Sequence, residues 1–153
     1  MGYTNYWYQY RDFTNSEWDE IKTFYEDWFF LEDDKLYPKI KDLSEPNQII
    51  FEGEEGGSCE TFVLNKHEPK PRYEGDKTYF NFCKTRELPY DKVVWKLLKY
   101  IKFIALDPTK ADFIISNDNG DEIVSVSDTG WNSQWINFDR AYFDRAYKWT
   151  QKT

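Results

Sequence analysis

The sequence predicts an α+β fold: a mainly antiparallel sheet of five to six strands, with about three helices packed mostly on one face. Three observations carry this. Short runs with period-two alternation recur between turn residues, as in Gln48–Glu52, Cys59–Asn65 and Thr78–Lys84. Longer stretches place apolar residues three and four apart, as helices do. The resulting order, β-α-β-β-β-α-β-β-α, favours hairpins over parallel crossovers.

The elements follow in order. Tyr3 to Phe13 opens as a strand with rings on both faces (Tyr6, Trp7, Tyr8, Tyr10), which predicts cover on both sides or a pocket wall. Thr14 with Glu17 forms a capping box. Trp18, Ile21, Tyr25 and Trp28 then form one stripe of a helix over about 15–32, ended by Glu32-Asp33-Asp34-Lys35 and Pro38. A polar connection leads to Pro46 and the strand Gln48–Glu52. Strands 59–65 and 78–84 follow, joined by a loop containing Pro69, Pro71 and Gly75. Pro89 opens a second helix whose stripe (Val93, Val94, Leu97, Leu98, Ile101, Ala105) runs to about Leu106. Phe113–Ser116 and Ile123–Val126 make a hairpin about Asn117-Asp118-Asn119-Gly120-Asp121. Trp135, Phe138, Tyr142 and Ala146 mark a last helix over about 133–150, in which Asp139-Arg140-Ala141-Tyr142 recurs as Asp144-Arg145-Ala146-Tyr147 without a structural period.

The 153 residues fit a single domain, 1–153. Aromatics are 20% of the chain (7 Trp, 12 Tyr, 12 Phe), which argues against disorder. No stretch approaches the roughly 20 apolar residues of a membrane span. The opening residues lack a signal-peptide pattern, and Tyr6 stands where a myristoylation motif wants Ser or Thr. The expected location is therefore cytoplasmic, with Cys59 and Cys83 reduced. A formal net charge of −8 argues against a nucleic-acid polymer as partner. It leaves room for a small anion in a local basic pocket, or for an acidic face that meets a basic protein.

Hairpin geometry supplies a candidate site. If 59–65 pairs with 78–84 and Phe62, Leu64, Phe80 and Phe82 share one face, paired numbers must have an even sum. Glu60 and Lys84 then meet on the apolar face, with Cys59 and Cys83 on the other. Such a carboxylate and ammonium form either a structural ion pair or the mouth of a polar pocket. Lys84, Thr85 and Arg86 precede a helix N-terminus, which favours anions. Tyr90, Tyr6 and Tyr8 could stack a base or ring, while Asp91 reads first as ordinary capping chemistry. Enzyme templates fare poorly. His67 is the single histidine, in a Lys-His-Glu-Pro loop, and two cysteines with one histidine make no standard zinc set. No cofactor and no metal is expected.

The opening Met-Gly-Tyr-Thr-x-Tyr-Trp, Asp12-Phe13-Thr14 with Glu17-Trp18, Glu60-Thr61-Phe62-Val63-Leu64, Phe82-Cys83-Lys84-Thr85 with Pro89-Tyr90-Asp91, and the Trp-rich C-terminal stretch occur in that order. Together they resemble a family of small uncharacterised proteins of tailed phages and some bacterial genomes. The chain departs at Asn5, where the family is expected to carry His, so no His-dependent chemistry transfers. The resemblance implies a phage-type accessory protein acting in host cytoplasm. The expected function is non-enzymatic binding of a small anionic, nucleotide-like ligand, sequestering a host defence signal. The ligand-binding residues would be Lys84, Thr85, Arg86, Tyr90, Glu60, Tyr6 and Tyr8. The alternatives are an acidic protein–protein inhibitor of a host factor, and a nucleotide-acting enzyme using Glu60 or Asp91 as base. A homodimer is compatible with the number of rings.

Overall fold

Thr14 and Glu17 close the capping box: the Glu17 N–H donates to Thr14 Oγ1 at 3.1 Å and the Thr14 N–H to Glu17 Oε1 at 2.9 Å. This starts helix α1, Asn15–Phe29. The computed structural model describes residues 2–29, 40–54, 56–68 and 71–125. The helix foreseen over 133–150, the residues foreseen to end α1 and the side chain of Trp28 lie outside that description.

The remaining elements are strands β1 (Thr4–Gln9), β2 (Ile40–Asp42), β3 (Gln48–Gly53), β4 (Phe62–Asn65), β5 (Phe80–Lys84), β6 (Phe113–Asn117) and β7 (Glu122–Ile123), and helix α2 (Asp91–Tyr100). A π-helical turn, Ile101–Ala105, extends α2 and closes with the Leu106 N–H donating to the Ile101 carbonyl.

All pairings are antiparallel, as expected, but they form two sheets rather than one. One has four strands in the order β5-β1-β6-β7; the other has three, β2-β3-β4. The expectation of five to six strands is corrected to seven, with two helices among the described residues. β2 was missed because three residues with one half-buried side chain give no alternation to read.

The pairing of 59–65 with 78–84 does not form. β4 pairs with β3, where Phe51 faces Phe62 and Ile49 faces Leu64, and all four are fully buried. β5 instead pairs with β1. With that partner its inward residue is Cys83, opposite Asn5, and Phe80 and Phe82 turn outward opposite Tyr8 and Tyr6. The assumption that phenylalanines take the core face inverted this strand.

One core serves both sheets and both helices. Trp7 from β1 meets Phe62 from β4 at 5.0 Å between ring centroids. Tyr25 from α1 stacks on Phe51 of β3, and Phe24 stacks on Tyr100 of α2. Arg11 ties the β1–α1 corner together, donating to both oxygens of Glu17 and, through Nε, to Asp112 at 2.7 Å. The fork of two parallel bonds fixes orientation as well as distance.

Lys102 follows Val94 and Leu98 at spacings of four, so it falls on the buried stripe of the helix. It is 1% exposed. Its Nζ donates to the carbonyls of Lys110 and Phe113 at 2.7 Å each and of Val124 at 2.5 Å. Burial lowers its pKa from 10.5 to about 8.

Candidate functional site: the outer face of the four-stranded sheet

In an antiparallel ladder, residues directly opposite each other share a face. Along β1, Asn5, Trp7 and Gln9 are buried, so Thr4, Tyr6 and Tyr8 form the outer face. The register sets Lys84 opposite Thr4, Phe82 opposite Tyr6 and Phe80 opposite Tyr8. On the other flank, Ser116 lies opposite Tyr6 and Ile114 opposite Tyr8. Tyr10 and Tyr79 extend the row past the strand end, with ring centroids 4.9 Å apart.

The rings form a continuous layer. Tyr6 stacks on Phe80 at 6.0 Å, Tyr8 meets Phe80 at 5.1 Å, and Phe80 meets Phe82 at 5.9 Å. Phe82 is 54% exposed and Tyr10 44%. The Tyr6 hydroxyl donates to Asp118 Oδ1 at 2.8 Å, and Asp118 Oδ2 accepts the Thr4 N–H at 2.8 Å. Those bonds fix the Tyr6 ring, and its phenol pKa is raised chiefly by the bond to Asp118.

The structure therefore divides the seven candidate residues. Tyr6, Tyr8 and Lys84 share the outer face. Thr85 and Tyr90 do not: both are buried, and both are structural. The Thr85 hydroxyl donates to Asp91 Oδ1 at 2.6 Å, and Asn5 Nδ2 donates to the same oxygen at 2.6 Å. The Tyr90 hydroxyl donates to the Glu60 carbonyl at 2.7 Å and accepts the Cys59 N–H at 3.1 Å, with its pKa pushed up to about 12 by burial. A ring so enclosed cannot stack a ligand, which corrects the role foreseen for Tyr90.

Glu60 does meet Lys84, but through the backbone. The Glu60 N–H donates to the Lys84 carbonyl at 3.0 Å, and the Lys84 N–H donates to Glu60 Oε1 at 2.7 Å. No side-chain ion pair joins them: the Glu60 carboxylate accepts the Lys84 main-chain N–H instead. The two bonds link β5 to the approach to β4, one between main-chain groups and one through the Glu60 carboxylate. Arg86, two residues after Lys84, is exposed, and its N–H donates to the Tyr3 carbonyl. Arg86 and Glu87 both take left-handed backbone, with φ of 55° and 56°.

Phe80, Phe82, Tyr10 and Tyr79 were missed as face residues. The signal was present in β1, where Tyr6, Tyr8 and Tyr10 alternate with Asn5, Trp7 and Gln9, but the partner strand could not be named without long-range pairing.

The other reactive groups are poorly placed for chemistry. Burial, and next Glu60, push the Cys83 thiol up to about 12, so it is protonated at neutral pH. His67 lies at the surface, Nδ1 3.1 Å from Asp12 Oδ2. Among the described residues no cluster of His, Cys, Asp and Glu is placed to hold a metal ion, and no helix is long and apolar enough to cross a membrane. No family model, curated protein or solved structure matches the chain.

Proposed function

We propose that this protein is a non-enzymatic binder of a small anionic, nucleotide-like ligand, which lays its ring on the outer sheet face and sets its anionic group at Lys84. The observation that carries the reading is the register that lines Tyr6, Tyr8, Phe80 and Phe82 on one face with Lys84 at its end. Exposed rings already held by their neighbours lose little freedom when a base stacks on them. The cation sits where the backbone of a stacked nucleotide would leave the sheet, with Arg86 two residues further on. A formal charge of −8 disfavours a long polyanion but not a single small one. In a phage-type accessory protein the ligand would be a host defence signal, sequestered rather than turned over.

Thermal-shift measurements with a panel of cyclic dinucleotides and ADP-ribose test this. At least one ligand should raise Tm, and Lys84→Ala should remove the shift. Phe82→Ala should weaken binding by about 1–3 kcal/mol, the worth of one stacked base. No shift across the panel would sink the proposal.

A second reading rests on the same exposure. Phe82 and Tyr10 are the kind of rings that anchor protein interfaces, so the face could instead seat a basic host protein or a second copy of the chain. Capture of one host protein that is lost in Phe82→Ala would favour it.

A further inference from the structure

We propose that the outer face holds two ring subsites, so that its ligand is a linear dinucleotide. The phosphate-bearing nucleotide lies over Phe80 and Phe82 beside Lys84, and the second base lies on Tyr8, Tyr10 and Tyr79. The assignment rests on the reading of this face as a nucleotide site, and adds the length and direction of the ligand.

The two ends of the ring row differ in chemistry. At the Lys84 end the rings offer no free hydroxyl. Phe80 and Phe82 carry none, and the Tyr6 hydroxyl is spent on Asp118 at 2.8 Å. At the other end three phenols gather. Tyr8 lies 6.3 Å from both Tyr10 and Tyr79 between ring centroids, and Tyr10 lies 4.9 Å from Tyr79. Their planes are 13° to 31° from parallel. None of the three hydroxyls has a hydrogen-bond partner among the described residues. Each can donate and accept. Partial burial, and next Tyr79 and Tyr8, raise the Tyr10 phenol above its ordinary value, so it stays an O–H donor at neutral pH. A base asks for this combination, since it has a π-face to stack and polar edges to bond.

The span of the row calls for more than one nucleotide. Thr4, opposite Lys84, and Tyr8, opposite Phe80, are four residues apart on β1, or about 13 Å. Tyr10 lies two residues beyond Tyr8. A mononucleotide with its phosphate at Lys84 covers Phe82 and Phe80 and stops there. A second nucleotide reaches the tyrosines, with Tyr8 joining the two halves at 5.1 Å from Phe80. Charge sets the upper limit. Lys84 ends the row, Arg86 follows two residues later, and neither side chain is paired among the described residues. Each phosphate beyond the second nucleotide would meet only the field of a chain with a formal charge of −8.

Calorimetric titration of the full chain with AMP, 5′-phosphorylated diadenylate and 5′-phosphorylated tetraadenylate tests this. Stacking tolerates any base, so adenine serves as a general probe. Diadenylate should bind about tenfold more tightly than AMP, the worth of a second stacked base. Tetraadenylate should bind no more tightly than diadenylate. Tyr10→Ala should bring the diadenylate-to-AMP affinity ratio down to about one. Tyr10 is exposed, so the variant should keep the wild-type Tm, and Tyr79→Ala repeats the test from the other side of the triangle. If the wild type binds neither AMP nor diadenylate, the nucleotide reading fails and this assignment with it. If the two bind equally, if both variants keep the wild-type ratio, or if affinity climbs on to tetraadenylate, the two-subsite assignment is overturned while the nucleotide reading stands.

Discussion

Replacing Lys102 by Met removes one amine and leaves three carbonyls without their donor. The two side chains are similar in length and apolar stem, so the change isolates the Nζ contacts. In the native chain Nζ serves Lys110, Phe113 and Val124, which belong to the 107–112 loop, the start of β6 and the exit of β7. An unsatisfied buried acceptor costs about 1–3 kcal/mol. Two of the three carbonyls are only partly buried and can recover water. Against this stands the burden of the buried cation itself. The fall from 10.5 to about 8 corresponds to about 3 kcal/mol against the charged form. Taking about 3 kcal/mol for the Phe113 carbonyl and about 1 kcal/mol for each of the other two, and subtracting that relief, Lys102→Met should destabilise by about 2 kcal/mol at pH 7.

The pH dependence has a definite sign. Between pH 8 and 10.5 the folded chain has released the Lys102 proton while the unfolded chain retains it, so this group makes stability rise with pH. Below pH 8 both states hold the proton and the penalty is fully present. The stability gap between wild type and Lys102→Met should therefore widen from pH 8 to 10.5, while tyrosine titrations common to both cancel. Urea unfolding of the pair at pH 7 and at several points up to pH 10.5 measures it. A Met variant as stable as wild type at pH 7, or a gap that narrows with pH, would refute the view that the three carbonyls outweigh the cost of burial.

Other perturbations give sharper local readings. Glu17 has its pKa lowered first by the Arg11 hydrogen bonds, so its contribution is present above its ordinary carboxylate range and is lost as pH falls through the lowered value. Glu17→Gln should cost about 1 kcal/mol at pH 7 and nothing once Glu17 is protonated in both the folded and the unfolded chain, which acid-titrated urea midpoints will show. Gly53→Ala should destabilise by about 1–3 kcal/mol by thermal melting, because a Cβ there would stand 2.1 Å from the Gly57 carbonyl oxygen. Glu87→Gly should stabilise by about 1 kcal/mol by relieving the left-handed backbone at φ 56°; an unchanged or lower Tm would show that the Glu87 side chain has a role of its own.

Local signals survived translation into structure, and long-range ones did not. The Thr14–Glu17 box, the stripe of α2 and the Asn117–Asp121 turn depend on neighbours within a few residues, and each sits where its pattern placed it. Pairing partners are a different matter. Strands 59–65 and 78–84 are neighbours in sequence, but Phe62 and Leu64 find deeper burial against Phe51 and Ile49, while β5 completes the far side of β1. That exchange turned Phe80 and Phe82 from core residues into the exposed rings of the candidate site. Lys84 ends its strand where the pattern of 78–84 placed that end. Tyr90 misled because a ring near a helix start looks the same whether its hydroxyl ties main-chain groups or faces solvent. Lys102 gave no signal of its role, since nothing local announces three carbonyls converging from elsewhere in the chain.

The position of β1 between β5 and β6 governs how this molecule can be made. Trp7 waits for Asn81 on one side and Ile115 on the other, so the most aromatic of the described strands is synthesised long before either partner exists. Pairing so distant in sequence slows folding, because the chain must close large loops before contacts reward it. During translation Tyr6, Trp7, Tyr8 and Tyr10 would emerge with both edges unpaired, an arrangement that invites association with other chains. The acidic surplus of the sequence then acquires a use before the fold is complete, keeping nascent copies apart until β5 and β6 arrive.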